Sequence, residues 1–133
     1  MKELTTAALT ENIGQVTDFV NSILETVECP MKRQVQIDIA IDELFGNIAH
    51  YAYGDGTGDV TVQVKAGPSS ASITFIDSGI PYNPLEKEDP DVTLSAAERR
   101  IGGLGIFMVK KMASDIIYEY KDSRNILTVV FDF

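Results

Sequence analysis

Basic residues are scarce in this chain: 11 Lys and Arg stand against 20 Asp and Glu in 133 residues, a formal net charge of −9. Nonspecific nucleic-acid binding needs clustered Lys and Arg to neutralise phosphates, so the charge argues against that class, and anionic membranes are disfavoured by the same sign. A small anionic ligand is not excluded, because backbone amides and a bound cation can supply a local positive field. Cys29 is the only cysteine. It rules out an intrachain disulfide, sits beside Pro30 with no His/Cys cluster around it, and reads as a structural residue in a reducing compartment. No segment approaches a membrane span, and the first residues show no basic stretch followed by an apolar run, so the expected location is the cytoplasm. Internal repeats, low-complexity tracts and interdomain linkers are also missing. With 44% hydrophobic and 23% charged residues, residues 1–133 are expected to form one globular domain with a real core.

What is present begins with the stretch Ile37 to Gly54, IDIAIDELFGNIAHYAYG. Ile37, Ile41, Leu44, Phe45, Ile48 and Ala52 recur at spacings of three and four, the pattern of a packed helical face. Glu43, Asn47 and His50 lie among them at i, i+4 and i+7 and point one way. Buried, such polar groups need partners, and a ligand or a metal would supply them; exposed, they would be a solvated stripe.

The rest of the chain frames this helix. Residues 2–8 form a weak candidate edge strand. Thr10 has the character of an N-cap, and Ile13, Val16, Phe19, Val20, Ile23 and Leu24 mark a first helix ending near Pro30. The second helix runs from about Met31 through Tyr51 and stops at the glycines of Gly54-Asp55-Gly56-Thr57-Gly58. The period then changes from 3.6 to 2: Val60, Val62 and Val64 alternate with polar residues, Gly67-Pro68-Ser69-Ser70 turns the chain, and Ala71–Ile76 completes a hairpin. Residues 84–101 are polar and aperiodic, the character of a functional lid. Gly102-Gly103-Leu104-Gly105 opens a short third helix, and two strands, Ile116–Tyr120 and Ile126–Phe133, close the sequence. The order (β)ααββ, lid, αββ predicts an α+β fold: a two-layer α/β sandwich with a mostly antiparallel, mixed sheet and helices on one face.

Three features carry chemistry. An Asn47 side-chain oxygen suits Mg²⁺, which binds few protein groups plus substrate phosphates, and Glu43 one turn earlier could take a proton from a hydroxyl or water. Asp77-Ser78-Gly79 ends a strand. Its carboxylate can accept from the exocyclic amine of adenine, and Gly79 lets the backbone pass close to a flat ring, although Asp-x-Gly also serves as a plain turn. Gly102-Gly103-Leu104-Gly105 exposes N–H groups with a helix dipole behind them, either a polyphosphate site or a flexible hinge. It is not a Walker A loop, since no Gly-Lys-Ser/Thr follows, and no βαβ unit makes it a Rossmann fingerprint. Arg99 and Arg100 in the lid could neutralise a γ-phosphate or be a solvated pair. Phe107, Met108 and Val109 read as core.

Helical Glu-x-x-x-Asn, strand-Asp-x-Gly, lid, then Gly-x-Gly opening a helix resembles the GHKL (Bergerat-fold) ATP-binding superfamily. EL-FGN-IAHYAYG, IDSGIPYNP and GGLGIFMVKKM look most like its anti-sigma-factor serine/threonine kinases, across about residues 31–133. The resemblance implies that Asn47 holds the Mg²⁺ bridging the ATP phosphates and that Glu43 is the catalytic base. It implies that Asp77 recognises adenine with Gly79 beside the ring, and that Gly103, Leu104 and Gly105 meet the phosphates; Arg100 is the lid candidate for the same end of the ligand, although Ile101 stands where the family has its arginine. Thr128 would be a second adenine contact. It further implies phosphorylation of a serine on an anti-sigma-factor antagonist, sequestration of a sigma factor as a possible partner activity, and a homodimer. The competing expectation is a module that binds ATP and holds a protein partner without transfer activity. The catalytic domain of a histidine kinase fits less well, since no separate helical hairpin carries a phosphoacceptor His and His50 lies inside the nucleotide helix.

Overall fold

The computed structural model describes residues 1–86 and 103–133, with Gly103 and Leu104 described by their backbone alone. The chain forms strand β1 (Lys2–Ala7), helix α1 (Ile13–Thr26), helix α2 (Met31–Tyr51), strands β2 (Asp59–Ala66) and β3 (Ser70–Asp77), helix α3 (Gly103–Met112), and strands β4 (Asp115–Lys121) and β5 (Arg124–Asp132). The five strands make one sheet in the order β1-β2-β3-β5-β4, and every pairing is antiparallel. The expected α+β sandwich is therefore present, with β1 as the edge strand foreseen for residues 2–8.

Strand parity builds the core. In β2, Val60, Val62 and Val64 are buried while their neighbours are not. In β3 the buried set is Ala71, Ile73, Phe75 and Asp77, and in β5 it is Asn125, Leu127, Val129 and Phe131. Successive side chains of a strand point to opposite faces, so these rows share one face and the helices cover it. Ile37, Ala40, Ile41, Leu44 and Phe45 of α2 lie on that face, and α1 adds Val16, Val20 and Leu24. Residues recurring at three and four along α2 give it an apolar stripe, whose burial is the main driving force for the two-layer packing. The other face carries the cross-strand hydroxyl pairs Thr5–Thr61 and Thr74–Thr128, each at 2.9 Å.

Helix α1 begins differently from the expectation at Thr10. Residues Thr10–Asn12 form a 3₁₀ turn whose cap position is Leu9, so Thr10 lies inside the turn and not at a cap. Asn12 occupies the cap position of α1, and its Nδ2 donates to the Ala7 carbonyl at 3.0 Å, tying the helix start to β1. No helix among the described residues is long and apolar enough to cross a membrane.

Where α1 meets α2, Asn21 and Asp38 approach each other, and Asn21 Oδ1 and Asp38 Oδ1 are both buried without a partner. Burial raises the Asp38 pKa above the ordinary carboxylate value, the neighbouring Asn21 amide pulls it down, and nearby Asp42 pushes it up. A raised folded-state pKa means that Asp38 supports the fold fully below its unfolded pKa and loses that contribution as pH rises through the folded value. Asp38→Asn supplies an N–H₂ to this acceptor-rich contact. It is expected to raise stability near neutral pH by about 0.5–1.5 kcal/mol and to flatten the acid-to-neutral slope, as read by urea unfolding across that range.

Candidate functional site

At one end of the sandwich the buried rows of β3 and β5 finish on polar residues. Asp77 and Asn125 are directly opposed in the β3–β5 register, 5% and 6% exposed. The alternation that buries Phe75 and Leu127 forces these two under the same helical cover. A buried carboxylate is costly unless donors surround it. Asp77 Oδ1 accepts from Asn125 Nδ2 at 2.9 Å and from the Gly79 amide at 2.9 Å.

Beside this pair a cavity of about 430 Å³, counting the part open to solvent, is lined on one side by α2 and on the other by the ends of the strands. Leu44, Asn47, Ile48, Tyr51 and Ala52 come from α2 and its end; Ile80, Tyr82 and Pro84 come from the loop after β3. Asp77, Asn125, Leu127 and Tyr118 complete it. Apolar walls with a few fixed polar groups are the make-up of a small-molecule site.

The structure brings Asn47 and Asp77 together at this cavity. The Asn47 Nδ2 atom is buried and has no hydrogen-bond partner. An orphaned amide end on a cavity wall fits a ligand group absent from the chain itself. Its nitrogen suits a phosphate oxygen, and the amide turned over presents Oδ1, the atom a divalent cation takes. Among the described residues no group of three or more His, Cys, Asp or Glu forms a metal cage. A cation at Asn47 would thus draw its other ligands from phosphate and water.

Glu43, one turn before Asn47, reaches α3. Its carboxylate lies against Gly105, so that a Cβ at position 105 would overlap Oε1, Oε2 and Cδ of Glu43. Absence of a side chain at 105 is what lets the carboxylate sit at the start of α3, where the first amides of the helix are without intrahelical acceptors. His50 is exposed on the last turn of α2, its ring tilted 54° to that of Tyr51 with centroids 6.0 Å apart. The cavity is lined instead by Tyr51, which the Glu43/Asn47/His50 spacing did not single out.

Gly79 has a structural reason of its own. A Cβ there would collide with the backbone carbonyl of Ala52 and with its Cβ, and the next residue, Ile80, donates its amide to that same carbonyl at 2.8 Å. The loop after β3 is thus pressed onto the end of α2. Tyr53 holds it from the other side: its hydroxyl donates to the Asp59 carbonyl at 2.6 Å and accepts the Ser78 amide at 2.9 Å. Burial raises the Tyr53 pKa, the Ser78 amide works against that, and the nearby Asp77 and Asp59 charges push it further up.

Thr128 is placed elsewhere. It lies on the opposite face of the sheet, hydrogen-bonded to Thr74, and is not part of the cavity lining. The second polar group beside Asp77 is Asn125. The sequence does hold the signal for this: Asn125 shares parity with Leu127, Val129 and Phe131, and Thr128 does not. Gly103 begins α3. Arg99, Arg100, Gly102, most of the lid at 84–101 and the Leu104 side chain lie outside the described residues.

An antiparallel sheet under helices, with an Asn-bearing helix facing a strand-end Asp across an apolar cavity, defines a ligand-binding α+β sandwich of the ATPase type. Residues 6–131 match the family model of the histidine kinase-like ATPase domain, so the chain belongs to that family, within the GHKL superfamily. No curated protein matches the chain.

Because the Gly79 contact is with backbone, which cannot swing aside, Gly79→Ala is expected to cost about 1–3 kcal/mol. Gly46, inside α2 with open space where its Cβ would lie, provides the contrast. There alanine is expected to stabilise by about 0.5–1 kcal/mol through the entropy of the unfolded chain. Chemical denaturation of the two variants beside wild type reads both signs.

Proposed function

We propose that this chain is an ATP–Mg²⁺-dependent serine/threonine protein kinase of the anti-sigma regulatory type, phosphorylating a serine of an anti-sigma-factor antagonist. The observation that carries the reading is the placement of Glu43. It stands one helical turn from the cavity-lining Asn47 and against Gly105 at the start of α3. A carboxylate beside the first turn of α3, whose free amides suit phosphate oxygens, is in reach of a hydroxyl that attacks a phosphate held there and can take its proton.

Each residue then has a task. Asp77 offers a carboxylate oxygen to the amine of the adenine ring, with Ile80, Tyr82 and Leu127 of the cavity lining enclosing the flat base. Asn47 supplies an amide oxygen to the cation, and the amides around Gly103 and Gly105 hold phosphate oxygens. When bound, Mg²⁺ would offset charge on the phosphate oxygens. Glu43 accepts the proton of the substrate serine, and helix packing fixes the carboxylate in place beforehand. Arg100 is assigned to the γ-phosphate. A serine-bearing antagonist is the substrate, a sigma factor the alternative partner, and two copies of the chain the working assembly.

Calorimetry with ATP and MgCl₂ is expected to show binding by wild type and a loss of about tenfold or more in Asn47→Ala, in keeping with removal of one charge-assisted contact. Absence of binding by wild type would end the nucleotide reading. Glu43→Ala is expected to keep ATP affinity within a few-fold while γ-phosphate transfer to an antagonist falls by about 10²–10⁴. Gly105→Ala, which displaces the Glu43 carboxylate with the fold retained, is expected to fall in the same direction. Transfer undiminished in Glu43→Ala would remove the base assignment. Binding without any transfer in wild type would leave an ATP-responsive module that holds a protein partner.

A further inference from the structure

Asn125 uses its whole hydrogen-bonding capacity inside the protein. Nδ2 donates to Asp77 Oδ1 at 2.9 Å and to the Ile80 carbonyl at 2.9 Å. Oδ1 accepts the Tyr82 amide at 3.0 Å and the Tyr118 hydroxyl. The amide orientation is fixed by chemistry: a backbone N–H can only donate, so it must meet Oδ1, and a carbonyl and a carboxylate can only accept, so they must meet Nδ2. The side chain therefore has no donor or acceptor left for a ligand, although it lines the cavity. What it controls is its neighbour. Asp77 Oδ1 is taken up by Asn125 and by the Gly79 amide, and among the described residues no hydrogen bond reaches Asp77 Oδ2.

This leaves one carboxylate oxygen for a base. Guanine presents N1–H and its 2-amino group side by side, a matched pair for a carboxylate with both oxygens free. Adenine presents a single exocyclic amine. We propose that Asn125 is a positioning residue that occupies one oxygen of Asp77, orients the other into the cavity, and so selects adenine over guanine. The proposal rests on the nucleotide reading of the cavity given above. The same four bonds fasten the loop Ile80–Tyr82 to β4 and β5, so the wall over the base and the acceptor beneath it are set by one side chain. No oxygen-bearing side chain of threonine size could replace it, since a hydroxyl has one proton for two acceptors.

The test compares ATP and GTP binding in the presence of Mg²⁺ by wild type, Asn125→Asp and Tyr118→Phe, at about pH 5 and about pH 8. The groups facing position 125 are Asp77 from β3, Tyr118 from β4 and the Tyr82 backbone, with Tyr53 near Asp77 and Glu86 near Tyr118. Asn125→Asp keeps the shape but sets two carboxylates at hydrogen-bond distance, where double ionisation is disfavoured and, once forced by rising pH, repulsive. Protonated, the new residue still donates to Asp77; ionised, it repels it. Relative to wild type at the same pH, its ATP affinity is expected to be lower by a few-fold at about pH 5, where one O–H serves the two acceptors that the amide served, and by about tenfold or more at about pH 8. Its preference for ATP over GTP should narrow on the same change. Tyr118→Phe removes one acceptance at Oδ1 and is expected to weaken ATP by a few-fold at both pH values with the same narrowing; it carries the test if the Asp variant does not fold. A variant-to-wild-type ratio that is flat with pH, with ATP:GTP preference unchanged in both variants, overturns the assignment of Asn125 while leaving the site intact. Wild type that binds no nucleotide overturns both.

Discussion

A buried carboxylate must be surrounded by donors or it will not stay ionised, and that requirement organises the functional end of this protein. Asp77 stands at the end of a core strand, 5% exposed, on the side covered by helices. The Asn125 amide and the Gly79 amide satisfy one of its oxygens, and Asn125 is in turn saturated by the Ile80 carbonyl, the Tyr82 amide and Tyr118. Two strands, an edge strand and a loop are thereby joined around one charged group. Each such bond to an ionised partner contributes about 1.5–3 kcal/mol in a dry setting, while an unpartnered member would cost several. The network is therefore held as a unit, and the cavity inherits its rigidity.

The opposite wall follows a different logic. Helix α2 packs on the sheet through Ile37, Ile41, Leu44 and Phe45, and its polar members are those the core does not take up. Asn47 is held at the cavity with its amide nitrogen buried and unpaired, and Glu43 is set against a glycine that gives it room. One wall is thus fully satisfied internally and the other is left wanting a partner. A ligand bridging them meets a preset acceptor at one end and unfilled polar capacity at the other, the arrangement expected of a site organised before binding.

Much of this was legible without coordinates, because local periodicity carries it. The change from a 3.6 to a 2 period between Tyr51 and Val60 marks where helix gives way to sheet, and the three glycines after Tyr53 mark the break. The spacing of Glu43 and Asn47 puts both on one side of a helix in any fold, and Asp77 at the end of an alternating strand is a strand-end residue wherever that strand lies. Parity also places Asn125 with Leu127, Val129 and Phe131, and Thr128 on the other face, a signal already present in the residues. For His50 the spacing left a ligand group and a solvated one both open, and the structure gives the solvated one. A helix position two turns away shares a direction only approximately, and the end of α2 carries it out into solvent.

The sequence by itself determined the elements, their amphipathic faces and the residue types able to do chemistry, since these depend on neighbours three, four or two positions away. The tertiary structure alone decided which of those residues meet. Antiparallel pairing of β3 with β5 sets Asp77 opposite Asn125 across 48 positions of chain, and the packing of α3 on α2 sets Gly105 against Glu43. It also gave Gly79 a reason that no turn rule supplies, the backbone of Ala52 lying where a side chain would be. Contacts between residues remote in the chain arise from strand register and helix docking, which are set by the burial of whole faces, and no local pattern encodes them.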